Sequence, residues 1–151
     1  MTASAKPAPT DEDIAALVGH RFSGGQRKVE HWENWLLTDC TQRPPMSGGL
    51  LHPVVLFHVP IQAASTSIGE IFSICGGGAA GSVTLLGYEW DFLAPVVEDV
   101  IYRGEGGIVE ANRRRDSSGV IVHDDICFVI ELLDPTDRTV ARVTTRWRFL
   151  R

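Results

Sequence analysis

The feature that most limits what this chain can fold into is a run of four apolar-rich segments in its second half: 82–92, 100–113, 120–133 and 139–151. Short turn signals separate them: Ala94-Pro95, then Asp116-Ser117-Ser118-Gly119, then Asp134-Pro135-Thr136-Asp137. In the last segment Val140, Arg142, Thr144, Arg146 and Arg148 alternate with Ala141, Val143, Thr145, Trp147 and Phe149. The second set is mostly apolar and is expected to face a core, because successive strand side chains point to opposite faces. Long strands joined by short turns predict an antiparallel meander.

One sheet face of this kind needs a covering layer. The residues before it supply a candidate. Pro60 suits a first helical position, and Ile61, Ala64, Ile68, Ile71, Phe72 and Cys75 keep one apolar face for about four helical turns. The glycine-rich stretch 76–81 stops that helix. Further upstream, Thr10 can cap a short helix whose buried stripe is Ile14, Leu17 and Val18, with Gly19 as its stop. A strand over about 21–30 is expected to run into a helix on which Trp32, Trp35 and Leu36 share a face. Residues 1–10 read as a mobile tail and 11–151 as a single domain. The expected class is therefore α+β: a long central helix wrapped by a curved antiparallel sheet.

Charge and cysteine usage exclude some functions. The net charge of −5 over 151 residues argues against nucleic-acid binding, which needs a basic face. No apolar run reaches the length of a membrane span. Three cysteines, Cys40, Cys75 and Cys127, are an odd and scattered set, which fits a reducing cytoplasm. His20, His31, His52, His58 and His123 lack close ligand spacing, so no metal site is expected.

The stretch GYEWDFLAPVVEDVIYRGEG resembles a segment of MaoC-like hydratases and dehydratases, which have the hotdog fold. There an aromatic and two further residues precede Pro-Val, here Phe92, Leu93, Ala94, Pro95 and Val96, with Glu98-Asp99 where Gly-Asp is usual. ALVGHRF followed by VEHWENWLLTD is similar to the family's opening, and the last two segments resemble its final hairpin. The resemblance runs from about Ile14 to Arg151. It implies reversible addition of water to an enoyl thioester of coenzyme A or a carrier protein, with no other cofactor. It also implies a dimer, or a hetero-oligomer with another hotdog subunit.

In the family an Asp, four residues and a His on the loop before the central helix activate water and exchange a proton with the α-carbon. A backbone N–H at the helix start holds the thioester oxygen. Asp39 matches the family Asp, but Pro44 stands where the His should be. His52 and His58 are the candidates to replace it, although His58-Val59-Pro60 puts a residue without an N–H where the oxyanion donor is expected. Ile61, Ala64 and Phe92 are expected to line the acyl site and Arg114 to meet coenzyme phosphates. Each has a plainer alternative: Asp39 as a helix-terminal carboxylate, the histidines as core or interface residues, Arg114 as part of a solvated basic tip. Three other readings stay open. The chain could be a silent subunit that completes a partner's acyl tunnel. It could also be a thioesterase using Glu70, or a cone-shaped NTF2-like dehydratase or isomerase.

Overall fold

The structure is a computed structural model that describes residues 8–77 and 81–151. The expected tail falls mostly on 1–7, and the middle of the glycine-rich stop on 78–80, both outside the described residues. Thr10 does cap α1 (Asp11–Ala15): its hydroxyl takes the Asp13 N–H while the Asp13 carboxylate takes the Thr10 N–H. Ile14 and Leu17 are buried, but Val18 is exposed because the helix ends before it. β1 (Gly25–Lys28) is shorter than expected and leads into α2 (His31–Asp39). The four later segments become β2 (Val83–Phe92), β3 (Ile101–Arg115), β4 (Ile121–Leu133) and β5 (Thr139–Leu150).

All five strands form one antiparallel sheet in the order β1-β3-β4-β5-β2. β3, β4 and β5 are the expected meander. β2 is not its first member; it lies at the far edge, paired with β5. The connection 93–100 allows this: crossing three strand spacings takes ~14 Å, and eight extended residues reach ~26 Å. The alternation on β5 is as read from Ala141 on; Val140, expected to face water, is buried. Ala141, Val143, Thr145 and Phe149 are buried on the concave face. On the convex face Arg142 pairs with Glu131 at 2.6 Å, Arg146 with Glu89 at 2.7 Å and Arg148 with Asp125 at 2.7 Å.

The covering layer differs from the expectation in one respect. The helix is in two pieces, α3 (Val59–Ala63) and α4 (Ile68–Ile74). Ser65 adopts a left-handed φ of 52°, its N–H bonds Gln62 O at 3.0 Å, and Thr66 N–H bonds Ile61 O at 3.2 Å. That is the Schellman ending, here with serine in place of glycine. Ser67 then caps a new helix by accepting the Glu70 N–H at 3.1 Å. The buried helical stretch instead begins earlier. A 3₁₀ turn over 53–57 precedes α3 and buries Val55 and Leu56.

α3 lies directly on the sheet. A Cβ on Gly104 of β3 would strike Ala63 and the Ala64 amide, so only glycine permits the approach. At the other end of the sheet, Asp124 is fully buried between Arg113 and Arg151. Arg151 also donates to the last carbonyls of α4, Cys75 O and Gly76 O, both at 2.7 Å. Burial alone would raise the Asp124 carboxyl, but hydrogen bonds from Arg113 and Arg151 outweigh it and hold it below the ordinary range. A carboxyl depressed in the folded state stabilises above its unfolded value near pH ~3.9, and that stability is lost as pH falls through the folded value. Asp124→Asn should therefore cost ~3–5 kcal/mol in urea unfolding at pH 7, because two buried guanidinium groups lose their shared buried counter-charge, Arg113 keeping only the exposed Asp11. The wild-type advantage should shrink as the pH is taken below 4.

Candidate functional site

The first turn of α2 faces the start of α3, and the two bring together charged side chains from three elements. Glu33 of α2 accepts from Arg27 Nη2 of β1 at 2.6 Å. Arg27 Nε donates to Gln62 Oε1 of α3 at 2.9 Å, and its Nη1 to Lys28 O at 2.7 Å. His58, the residue before α3, places Nε2 3.9 Å from the same Glu33 oxygen, Oε1. The Glu33 side chain is 12% exposed and that of His58 35%. Glu33 Oε2 is buried and has no hydrogen-bond partner among the described residues. A buried carboxylate oxygen without a donor is costly, and it is the place where a water or substrate O–H would be held.

Local sequence explains the arrangement. His58 has φ −125° and ψ −27°, which ends the 3₁₀ turn and starts α3 at a different angle. Its carbonyl still accepts the Gln62 N–H at 3.1 Å, so His58 and Gln62 stand one turn apart beside Arg27. Gln62 spends its oxygen on Arg27 and keeps its NH₂ donors for another group.

A second cluster shares α2. Asn34, buried, donates to Glu98 Oε2 at 2.9 Å and to Leu50 O at 3.4 Å, and its Oδ1 takes the His52 N–H at 3.5 Å. His31 Nδ1 meets Glu98 Oε1 at 2.8 Å. Hydrogen bonds from Asn34 and then His31 hold the Glu98 carboxyl below its ordinary range. This cluster ties α2 to the loop 49–52 and to the turn before β3.

The structure places the expected site residues in different surroundings. His58 joins Glu33, a partner the sequence reading missed. His52 is half-buried and caps the 3₁₀ turn: its Nδ1 accepts the Val54 N–H at 3.2 Å, so the neutral ring carries its proton on Nε2. Asp39 meets neither histidine. It ends α2 six residues from Glu33, ~9 Å along the helix axis, and is exposed, its backbone carbonyl taking the Gln42 N–H. Ile61 and Ala64 face the core. Arg114 is exposed near the far end of β3, ten residues or ~33 Å from Gly104, too remote from α3 to act with His58 in one chain. Phe92 does line an apolar groove, of 410 Å³, with Met46, Leu50, Pro53 and Leu93. Phe57, Tyr88, Trp90 and Phe92 form a ladder of ring contacts from the neighbour of His58 to that groove. Glu70 is exposed and completes the cap of α4, accepting from Thr66 and Ser67 at 3.3 Å.

No protein-family model and no curated protein matches the chain. Solved structures do. The ChsH1-ChsH2 complex from Mycobacterium tuberculosis matches with a TM-score of 0.69 at 10% identity, over 92% of this chain and 89% of that one. The MaoC-like dehydratase from Rhodospirillum rubrum gives 0.59 at 12% identity, over 89% and 92%. A mutant hypothetical thioesterase protein from Streptococcus pneumoniae TIGR4 gives 0.56 at 14% identity, over 89% and 85%. The chain has the hotdog fold. It shares that fold with MaoC-like dehydratases and with thioesterases, as the α+β expectation had it. Among the described residues no helix of this hotdog chain is long and apolar enough to cross a membrane.

Asn34 is the test of how this region is held. Asn34→Ala leaves the buried half of Glu98 and the His52 amide without their shared partner, and should lower unfolding free energy by ~1–3 kcal/mol in a denaturant titration.

Proposed function

We propose that this chain is a hydratase or dehydratase of acyl thioesters in which Glu33 and His58 take the roles that Asp and His play in MaoC-like enzymes. The observation that carries the reading is the His58–Glu33 pair with a buried, unpartnered Oε2. Arg27 fixes Oε1, so the orientation of the other oxygen is set. A water held by Oε2 gives up a proton to Glu33 as its oxygen bonds to the β-carbon of an enoyl thioester. The π electrons move to the α-carbon and thioester oxygen, and His58 in its protonated form delivers a proton from Nε2 to the α-carbon. Transfer of the proton from Glu33 to His58 restores both groups, and the reverse sequence is dehydration. The Gln62 NH₂ offers a side-chain donor for the thioester oxygen, in a chain where Pro60 removes one backbone N–H. The aromatic ladder and the 410 Å³ groove supply apolar surface for the acyl chain.

The second reading is a subunit that completes the acyl site of a paired hotdog domain. The edge strand β2 supports pairing in either case. It is ten residues long and exposes Leu85, Leu86, Trp90 and Phe92. A long apolar edge left open invites pairing with another strand. The partner is a second copy or another hotdog subunit, with its β2 set antiparallel to this one.

Turnover separates these readings, and sedimentation tests the pairing they share. The purified protein should consume crotonyl-CoA or a longer enoyl-CoA, followed as loss of the conjugated thioester absorbance. Glu33→Gln and His58→Ala should each lower the rate ~10²–10⁴-fold, the usual worth of a positioned acid or base, while Asp39→Asn stays within about twofold. No turnover by the chain alone, with turnover when a second hotdog protein is added, would establish the subunit reading instead. In sedimentation velocity the wild type should run as a dimer or larger even assembly. Leu86→Lys should release monomers, since a charge on the open edge opposes pairing.

A further inference from the structure

Arg114, the cation expected at the coenzyme phosphates, is too remote from α3 for that role. Another arginine stands closer. Arg21, four residues before β1, is exposed and forms no ion pair or side-chain hydrogen bond among the described residues. Arg103, which shares a hollow with it, is spent on Glu105 and Asp137, each at 3.1 Å. Arg21 borders two adjoining hollows that have Phe22 and Ser23 in common. One, of 340 Å³, lies between this segment and the helices, where Ser65 and Thr66 follow α3 and Glu70 and Ser73 belong to α4. The other, of 420 Å³, runs beside β1 and β3 from Gln26 to Gly104.

A ring of contacts ties the 340 Å³ cleft to the reacting groups. Arg27 Nε donates to Gln62 Oε1 at 2.9 Å, and the Ser65 N–H donates to Gln62 O at 3.0 Å. Ser65 Oγ lies where a side chain on residue 25 would stand, so glycine there leaves the hydroxyl its place. Gly25 is two residues from Arg27 and therefore on the same face of β1. The Gly24 N–H bonds Ala64 O at 3.1 Å and holds this segment against the end of α3. Ser65 itself sits at φ 52°, where a non-glycine residue is strained and glycine is the usual choice. Its hydroxyl has no hydrogen-bond partner among the described residues. Glycine would make the same turn at less cost, so what serine adds is a hydroxyl facing the cleft. Glu70 accepts from Thr66 and Ser67 with Oε2 and keeps Oε1 for another donor. Hydroxyls and a carboxylate suit the N–H and C=O groups of an amide chain, and one free guanidinium suits one phosphate.

We propose that this cleft binds the amide-bearing arm on the sulfur side of the thioester, with Ser65 at its inner amide and Arg21 on the phosphate that ends it. The inference rests on the thioester reading above. Its direction agrees with the place of the acyl chain. Phe57 precedes His58 and leads through the aromatic ladder to the 410 Å³ groove, whereas Ser65 lies beyond Gln62 at the other end of α3. A thioester held between His58 and Gln62 sends its acyl chain one way and its arm the other. The length agrees too. From Arg27 to Arg21 the extended chain spans ~20 Å, and the arm measures ~16 Å from sulfur to phosphorus, a difference the arginine side chain covers. The arm is the phosphopantetheine common to coenzyme A and to carrier proteins. With one free guanidinium, the cleft reads the phosphate on the arm and not the nucleotide beyond it.

The test is calorimetric binding of butyryl-CoA, butyryl-phosphopantetheine and butyryl-pantetheine to the full chain. The two phosphate-bearing ligands should bind within about threefold of each other and ~10-fold more tightly than butyryl-pantetheine, the worth of a charge-assisted hydrogen bond. Arg21→Ala, at an exposed position, should bring both down to the level of butyryl-pantetheine and leave that ligand unchanged. Ser65→Gly keeps the left-handed turn and deletes only the hydroxyl, and should weaken all three by ~5-fold. A carrier protein loaded with butyryl-phosphopantetheine, titrated beside butyryl-CoA, tells the two sources of the arm apart, and Arg21→Ala should weaken whichever binds more tightly. Equal binding of the three ligands, no binding of any, butyryl-CoA far above butyryl-phosphopantetheine, or a phosphate preference that survives Arg21→Ala overturns the proposal. So does wild-type binding of all three by the Ser65→Gly variant. Hydration of crotonyl-CoA is read separately. Turnover with no phosphate preference sinks this inference and leaves the catalytic reading; a phosphate preference without turnover does the reverse.

Discussion

The structure depends on how closely α3 can lie on β3. Gly104 has no side chain, and Ala63 and Ala64 above it have almost none, so helix and strand backbones come into contact. A larger residue at any of the three would lift the helix. That contact fixes the height of α3, and with it the positions of His58 just before it and Gln62 within it. Arg27 of β1 then reaches Gln62 and Glu33 of α2 reaches His58, because β1 is the strand beside β3. The candidate site is thus a consequence of three small residues that take no part in its chemistry.

α2 is built against the usual amphipathic rule. It buries Asn34 and Thr38 and exposes Trp32 and Trp35, at 58% and 48%, with Leu36 beside them. The buried polar groups have work there: Asn34 joins Glu98, Leu50 and His52, and Thr38 bonds the Asn34 carbonyl at 2.8 Å. The exposed tryptophans need no partner for the helix to stay in place, because this network and the Glu33–Arg27 pair hold it. Stability and surface character are carried by opposite faces from the ones composition suggests.

Much of this was legible in the residues. The approximate bounds of the four later strands, most of the alternation on β5, the Thr10 cap and the stop at the glycine-rich stretch follow from local pattern, since each rests on neighbours within a few positions. The break of the central helix also had a signal: Ser67 followed three residues later by Glu70 is a helix-start pattern inside what reads as one continuous apolar face. Apolar periodicity masked it, because Ile61, Ala64, Ile68 and Ile71 stay in phase across the break. The place of β2 could not be read. Nothing local tells a hairpin of 82–92 with 100–113 from a connection that crosses to the other edge.

The sequence alone determined the class of the fold, because strand alternation and turn chemistry act over short distances and leave few ways to cover one apolar sheet face. It also marked His58 as a candidate. What it could not supply was the partner. Asp39 had the stronger claim by motif, yet it lies at the far end of α2, while Glu33, distant from His58 in sequence and held by Arg27, meets it in space. Only the tertiary structure decided that, since the meeting depends on the height of α3 over Gly104 and on the order of strands in the sheet. Neither is a property of any stretch of neighbouring residues.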